Sequence, residues 1–312
     1  PPGGVISLHN NKVCSGGEHP PLLDINKLPL PDIKKLPIRK YDHHSVITMR
    51  GCPFSCSFCY VKGHWTNSVR YMSVPRIFEH IDLLLPHTKK IHLMDDLFPG
   101  DRKRFMDYCQ HHKKEKYNFS WSFSTRVNTL NEEMMKISST RGANRIFVGV
   151  ESVADNVLKG IHKQYPARIV KNMLLDANKY YDEVCASFIY GFPFESLEDF
   201  EKTLNMTKWC IANDITYGLH RACPLPGTPL TKEYAKSIIF TDEFSDIVED
   251  IGLNKNIRQL ILKNKDIFPH YFSFESPDIE KKKQLIEKFE DSKIDELKKQ
   301  YKEKPILTTR SD

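Results

Sequence analysis

The sequence predicts an α/β fold built on a six-stranded parallel sheet, and three observations carry that prediction. Between residues 45 and 230, short β-branched or apolar runs alternate six times with segments of helical periodicity. Such alternation implies parallel strands joined by right-handed crossovers. The stretch is also shorter than the ~250 residues of an eight-unit barrel, so a partial (β/α)6 TIM-like barrel is expected. Composition shifts at both ends mark residues 1–44 as an extended linker that wraps the domain, and residues 231–312 as a helical C-terminal extension.

The first segment centres on LLDINKLPLPDIKKLPIRKY, whose prolines recur too often for a regular helix. SVITM (45–49) reads as the first strand, and RGCPFSCSFCY (50–60) follows it directly. VPRIFEHIDLLL (74–85) has apolar residues at helical spacing, and KIHLM (90–94) is a strand ending at Asp95 and Asp96. Either aspartate also suits the cap of the helix DRKRFMDYCQHHKKE (101–115). NFSWSFS (118–124) is the third strand, and LNEEMMKISSTRG (130–142) a helix closed by Gly142. Strand RIFVGVES (145–152) precedes helix YPARIVKNMLLDANKY (165–180). Strand VCASFIYGF (184–192), helix SLEDFEKTLNMTKWCIAN (196–213) and strand TYGLHRACP (216–224) complete the series. In the extension, Ser276-Pro277 reads as an N-cap and first-turn proline. Ile279, Leu285, Ile286, Phe289, Ile294, Leu297 and Tyr301 form an apolar packing stripe beyond it.

Composition narrows the function classes. With 40% hydrophobic and 28% charged residues, the chain has ordinary globular composition. No run of about 18 apolar residues is present, so no membrane span is expected. The opening PPGGVISLHNN has neither the basic start nor the apolar core of a signal peptide. It also lacks methionine, which suits a processed form or a fragment of a longer protein. The net charge of +6 is mild, and the lysines of the last quarter read as the solvated face of a helix rather than a nucleic-acid surface. Three of the eight cysteines crowd into one loop, a pattern of a metal or redox site in a reducing, cytoplasmic compartment.

That loop places Cys52, Cys56 and Cys59 as C-x3-C-x2-C at a strand end. Structural zinc sites mostly pair two knuckles, and a second knuckle is missing, although His64 would complete a Cys3His set. Ligand sites in α/β folds lie beyond the carboxyl ends of the strands, where this loop stands. Three thiolates on a [4Fe–4S] cluster leave one iron without a protein ligand, and an open coordination position is a reaction site.

RGCPFSCSFCY resembles the signature of the radical S-adenosylmethionine superfamily, and the likeness extends in order over roughly residues 40–230. It implies a [4Fe–4S] cluster held by Cys52, Cys56 and Cys59, with S-adenosylmethionine on the open iron. Reductive cleavage of its sulfonium then yields methionine and a 5′-deoxyadenosyl radical that takes a hydrogen atom from the substrate. The resemblance sets Asp95 and Asp96 of HLMDDLF near the methionine ammonium, and Ser124 and Arg126 near its carboxylate. By the same likeness, Glu151 and Ser152 of FVGVES lie by the ribose or carboxylate, and Phe58, Ile189 and Gly191 by the adenine. Cys223, in the CPLPGTPL segment, is a candidate second hydrogen donor. A flavodoxin- or ferredoxin-type electron donor is implied as partner.

The combination D-D-x-F, G-x-E-S, G-x-P-x-E and P-G-T resembles the branch linked to cobalamin-binding domains, in which methyl transfer is frequent. Cobalamin is implied only where such a domain lies upstream: no room for one precedes residue 40, and no Asp-x-His-x-x-Gly motif occurs. The substrate is a small molecule or peptide, with methylation or rearrangement as outcome. The alternative is a non-catalytic iron–sulfur or zinc module whose basic helical tail binds RNA. Removal of residues 276–312 is expected to leave the cluster intact while loosening the substrate side.

Overall fold

The computed structural model describes residues 5–10, 12–17, 24–65, 68–241, 243–245, 253–291 and 296–297. Its central sheet runs β1 (His44–Val46), β2 (Lys90–Leu93), β3 (Ser120–Arg126), β4 (Ala143–Glu151), β5 (Glu183–Tyr190) and β6 (Thr216–Arg221). Spatial order follows chain order, and every neighbouring pair is parallel. Because β1 and β6 are edges rather than partners, the barrel is open, as the short length of the segment implies.

Helices α1 (Val61–Trp65), α2 (Val74–Leu84), α3 (Arg102–Lys114), α4 (Glu132–Ser139), α5 (Asp155–Gly160), α6 (Val170–Tyr180), α7 (Leu197–Ala212) and α8 (Pro229–Glu233) lie between or after the strands. Side chains alternate across the sheet. Trp121, Phe123, Ile146, Val148, Val150, Val184, Ala186 and Phe188 are buried in the main core. Their alternates fall on the other face, where Ser122, Ser124, Gly149 and Ser187 sit beside Phe147 and Ile189, so it is not filled with branched apolar residues as a closed barrel would be.

Local chemistry sets the helix starts. Asp101 caps α3 by accepting the Arg104 amide at 2.7 Å, so the cap is neither Asp95 nor Asp96. Asn131 and Ser196 cap α4 and α7 in the same way. Gly142 lies three residues beyond α4, at φ +84°, where a Cβ would stand 2.3 Å from the Phe119 carbonyl. It closes the turn into β4 rather than the helix.

Both ends of the chain are less uniform than the sequence reading. Residues 24–43 form three 3-10 turns (Ile25–Lys27, Ile33–Lys35, Ile38–Lys40) with Ile25 and Ile38 buried, and an antiparallel hairpin (Ile6–His9 with Lys12–Ser15) precedes them. After α8 the extension is not purely helical: Ile238–Ile239 pairs antiparallel with Ser273–Phe274 before and after α9 (Lys255–Lys263). The last helix, α10 (Ile279–Glu290), begins after Asp278 at φ +52°, not at Ser276. The Ser276 hydroxyl donates to the Phe192 carbonyl at 2.9 Å and accepts from Lys282 Nζ at 3.0 Å instead of a helix amide. Ile279, Leu285, Ile286, Phe289 and Leu297 pack with Tyr190, Phe200 and Leu204, as the stripe predicts. Ile294 and Tyr301 lie outside the described residues. Lys282 of this helix is fully buried, so a solvated lysine face does not describe it.

Candidate functional site

The ladder of β1 ends because Asp95 captures the chain that follows. Its buried carboxylate accepts the amides of Thr48 at 2.6 Å and Met49 at 2.9 Å, and the Thr48 hydroxyl at 2.5 Å. Met49–Arg50 then pairs antiparallel with Arg70–Tyr71, and SVITM is therefore a strand only as far as Val46. Burial pushes the Asp95 carboxyl up to about 6, against the pull of those hydrogen bonds and of Arg104. Asp96, the next residue, is exposed and accepts the Gly51 amide at 3.2 Å. Gly51 sits at φ +91° with the Ser68 carbonyl where a Cβ would be, so only glycine fits this entry to the loop.

The cysteine loop is anchored from behind by backbone. The Ser57 amide donates to Ile161 O at 3.1 Å, and the Leu230 amide to Ser57 O at 2.9 Å. Cys52, Cys56 and Cys59 are free thiols lining one cavity of about 180 Å³ beyond the carboxyl ends of the strands. No fourth cysteine lines it; His64 does not either, and stacks edge-on with Trp65 instead. Burial pushes the Cys52 thiol up, and the Cys59 thiol to about 11. The rest of the wall includes Phe54, Phe58, Asp96, Ser124, Arg126, Glu151 and Lys163.

The charged members are closely held. Arg126 stacks over the Phe54 ring at 3.6 Å, donates to the Lys163 carbonyl, and lies 4.0 Å from Cys56 Sγ. Lys163 Nζ is 2.9 Å from both Glu151 Oε1 and the Gly149 carbonyl, with the two side chains only 5% and 10% exposed. Glu151 has φ +67° at a register shift in β4, and Lys163 is flanked by His162 at +58° and Gln164 at +57°. Non-glycine residues in that region gather where the fold over-determines a site.

Of the residues expected here, Cys52, Cys56, Cys59, Phe58, Asp96, Ser124, Arg126 and Glu151 line the cavity, whereas Asp95 stands behind it as a clamp. Ser152 turns away, its hydroxyl 3.0 Å from that of Thr203. Ile189, Gly191 and Cys223 are not in the wall; Gly191 (φ +81°) forms the turn after β5, its amide held by Glu195 at 2.7 Å. Sequence reading passed over Lys163 and the stacking role of Phe54. Lys163 sits in an irregular turn with no motif around it, and only the unusual backbone of the turn marks it.

A second, larger cavity of about 740 Å³ lies on the open inner face, lined by His92, Ser122, Arg145 and Glu183 among others. Ser124 and Phe147 line both cavities, and the larger one reaches the strand starts at Lys90, Ser120 and Glu183.

The Radical SAM superfamily model matches residues 46–207. An uncharacterized methyltransferase of Pyrococcus horikoshii is 33% identical over 243 residues, 74% of this chain and 52% of that protein. The anaerobic magnesium-protoporphyrin IX monomethyl ester cyclase of Rubrivivax gelatinosus is 26% identical over 66% of this chain and 39% of its own length. This chain thus spans about half, or less, of these relatives. The cobalamin-dependent S-adenosylmethionine radical enzyme OxsB, in a structure with aqua-cobalamin and S-adenosylmethionine bound, superposes with a TM-score of 0.64 at 18% identity. That match covers 88% of this chain and 44% of OxsB, and establishes the shared fold. A cysteine loop at the head of an open six-stranded parallel barrel, matched over half its length by one family model, makes the chain a member of the radical S-adenosylmethionine superfamily, whose cofactors are a [4Fe–4S] cluster and S-adenosylmethionine.

Proposed function

We propose that this chain is the catalytic barrel of an enzyme that removes a hydrogen atom from a substrate lying on the open inner face, with methyl transfer as the outcome where a longer protein carries cobalamin to take the methyl group from a second S-adenosylmethionine. The observation that carries this reading is the single cavity in which three free thiols meet Asp96, Arg126, Glu151 and Lys163. The donor set fits the cluster: three cysteines and no fourth protein thiol leave one metal position for a small ligand. When bound, the cluster supplies the electron that cleaves the sulfonium of S-adenosylmethionine.

The chain contributes orientation and the exclusion of water. Cys52, Cys56 and Cys59 hold the cluster, and their high thiol pKa values give way because a coordinating thiol is deprotonated outright. Asp96 offers an acceptor to an ammonium, and Arg126 or Lys163 a donor to a carboxylate, which together match an amino-acid zwitterion. Glu151 accepts from ribose hydroxyls, and Phe58 flanks the adenine. Ser124 and Phe147 stand between the thiol cavity and the inner face, where His92 Nδ1 and the Ser122 hydroxyl, 2.8 Å apart, offer polar groups to a substrate. The Pyrococcus relative is called a methyltransferase, and this is the ground for methyl transfer. Cobalamin enters the proposal only for a longer protein that carries a unit to bind it. A flavodoxin- or ferredoxin-type protein delivers the electron.

The test is anaerobic reconstitution with iron and sulfide, then dithionite and S-adenosylmethionine. We expect 5′-deoxyadenosine to form, and Cys52→Ala, Cys56→Ala and Cys59→Ala each to lose the cluster. Absence of that product, together with an EPR signal of the reduced cluster that ignores S-adenosylmethionine, would sink the proposal.

A further inference from the structure

The most deeply buried charge pair in the described chain lies outside the cavity, between the last helix and the turn after β5. Lys282 and Glu195 are each 0% exposed, with Nζ 3.0 Å from Oε2. A lysine is almost never fully buried unless every proton is matched. Here the three ammonium protons meet three acceptors: Glu195 Oε2, the Glu195 carbonyl at 2.7 Å and the Ser276 hydroxyl oxygen at 3.0 Å. That trigonal set suits an ammonium and not the planar fork of arginine. The same Glu195 oxygen accepts the Gly191 amide at 2.7 Å, and Ser276 donates onward to the Phe192 carbonyl. One ammonium on α10 thus fixes both ends of the turn 191–195.

What the turn carries is Phe192. Its ring stacks on Phe194, which fills the space over Gly160 so closely that a Cβ there would lie 2.4 Å from it. On its other side Phe192 packs against Phe58 at 6.2 Å between ring centroids. Phe58 stands between Cys56 and Cys59 and lines the cavity. Contact therefore runs without a break from Lys282 through Glu195 and Phe192 to the cysteine loop, although α10 contributes nothing to the cavity wall. Replacing a buried ion pair with apolar groups is often neutral or stabilising, so stability alone is a weak reason for this one.

We infer that Lys282 is a positioning residue: by holding Glu195 it sets the turn 191–195 against Phe58, so that affinity for S-adenosylmethionine depends on the C-terminal helix. This rests on the family reading of the cavity. Removal of residues 276–312 takes away Lys282 and Ser276 and leaves the Glu195 carboxylate buried without its cation.

The test compares native protein with Lys282→Met, the charge-neutral pair Lys282→Met/Glu195→Gln, and Lys282→Arg, all in the full chain. Three readouts are needed: iron content after reconstitution, hydrogen exchange of the 190–196 backbone without cofactor, and binding of S-adenosylmethionine followed by the EPR signal of the reduced cluster. The neutral pair guards against simple misfolding of the single variant. We expect it to load iron and melt like the native chain, to exchange faster over 190–196, and to bind S-adenosylmethionine roughly tenfold more weakly, within the usual range of coupling between sites. Lys282→Arg should not restore affinity. Native affinity in an iron-loaded neutral pair overturns the inference, whether or not exchange has quickened. If the native protein itself binds no S-adenosylmethionine, the proposed role of the cavity fails, and exchange over 190–196 still reports whether the latch exists.

Discussion

Removing the ammonium of Lys163 is the sharpest single perturbation of the cavity. Its pair with Glu151 is nearly sealed from water and 2.9 Å long. At an effective dielectric of ~20, that separation corresponds to roughly 6 kcal/mol of attraction. Taking one partner from a buried pair typically costs about 3–5 kcal/mol, because the other charge stays behind unpaired. Lys163→Met also gives up the hydrogen bond to the Gly149 carbonyl, worth about 1 kcal/mol. We expect a loss of about 4 kcal/mol, or a melting temperature lower by on the order of 10 °C. Glu151→Gln should cost less, since its amide oxygen still receives Lys163. Urea denaturation of cluster-free, reduced protein, followed by circular dichroism, completes a double-mutant cycle with Lys163→Met/Glu151→Gln. A coupling of about 2 kcal/mol is expected. A coupling below about 0.5 kcal/mol refutes the picture of a desolvated pair.

Three further outcomes follow from the geometry. Asp95 has a folded-state pKa of about 6, above its ordinary value of 3.8. The stability this contributes is fully present below the ordinary value of 3.8 and is lost as pH rises through about 6, so native protein should lose about 2 kcal/mol relative to Asp95→Asn between pH 4 and pH 7. A pH-independent difference in urea midpoints would contradict it. Arg126→Lys forfeits the stack on Phe54, worth about 1–2 kcal/mol. The loosened loop should speed modification of Cys56 by a thiol reagent in cluster-free protein, and an unchanged rate would count against the stack. Gly142→Ala must place a Cβ on the Phe119 carbonyl at positive φ, and should destabilise by more than about 1 kcal/mol in thermal melts.

The cavity was largely legible in the sequence because its residues fall at strand ends, where periodicity stops and polar groups begin. Ser124, Arg126 and Glu151 announce themselves in that way, and the cysteines by spacing alone. Asp95 and Asp96 were read as equivalent, yet alternation along the strand sends one carboxylate back onto the Thr48–Met49 amides and the other toward the cavity. Lys163 was invisible because a turn of left-handed residues, not a motif, delivers it. Lys282 was misread for a different reason. It sits in KKKQ, a run that looks solvated, and its partner Glu195 is 87 residues away. Composition cannot register a pairing that depends on how α10 lies across the turn after β5.

The backbone at Glu151 has a bearing on how this protein would respond to selection. At φ +67° a glutamate is strained, and glycine, or less fully asparagine, would relax the strand end. Glycine there would also remove the carboxylate that holds Lys163 and faces the thiols. Leaving Lys163 buried without its partner costs about 3–5 kcal/mol, against roughly 1–3 kcal/mol of backbone relief, so selection for heat resistance alone should also keep a partner for Lys163 at this codon. Enrichment of glycine at 151 only where Lys163 is replaced as well would identify the strained backbone as one maintained by its ion pair.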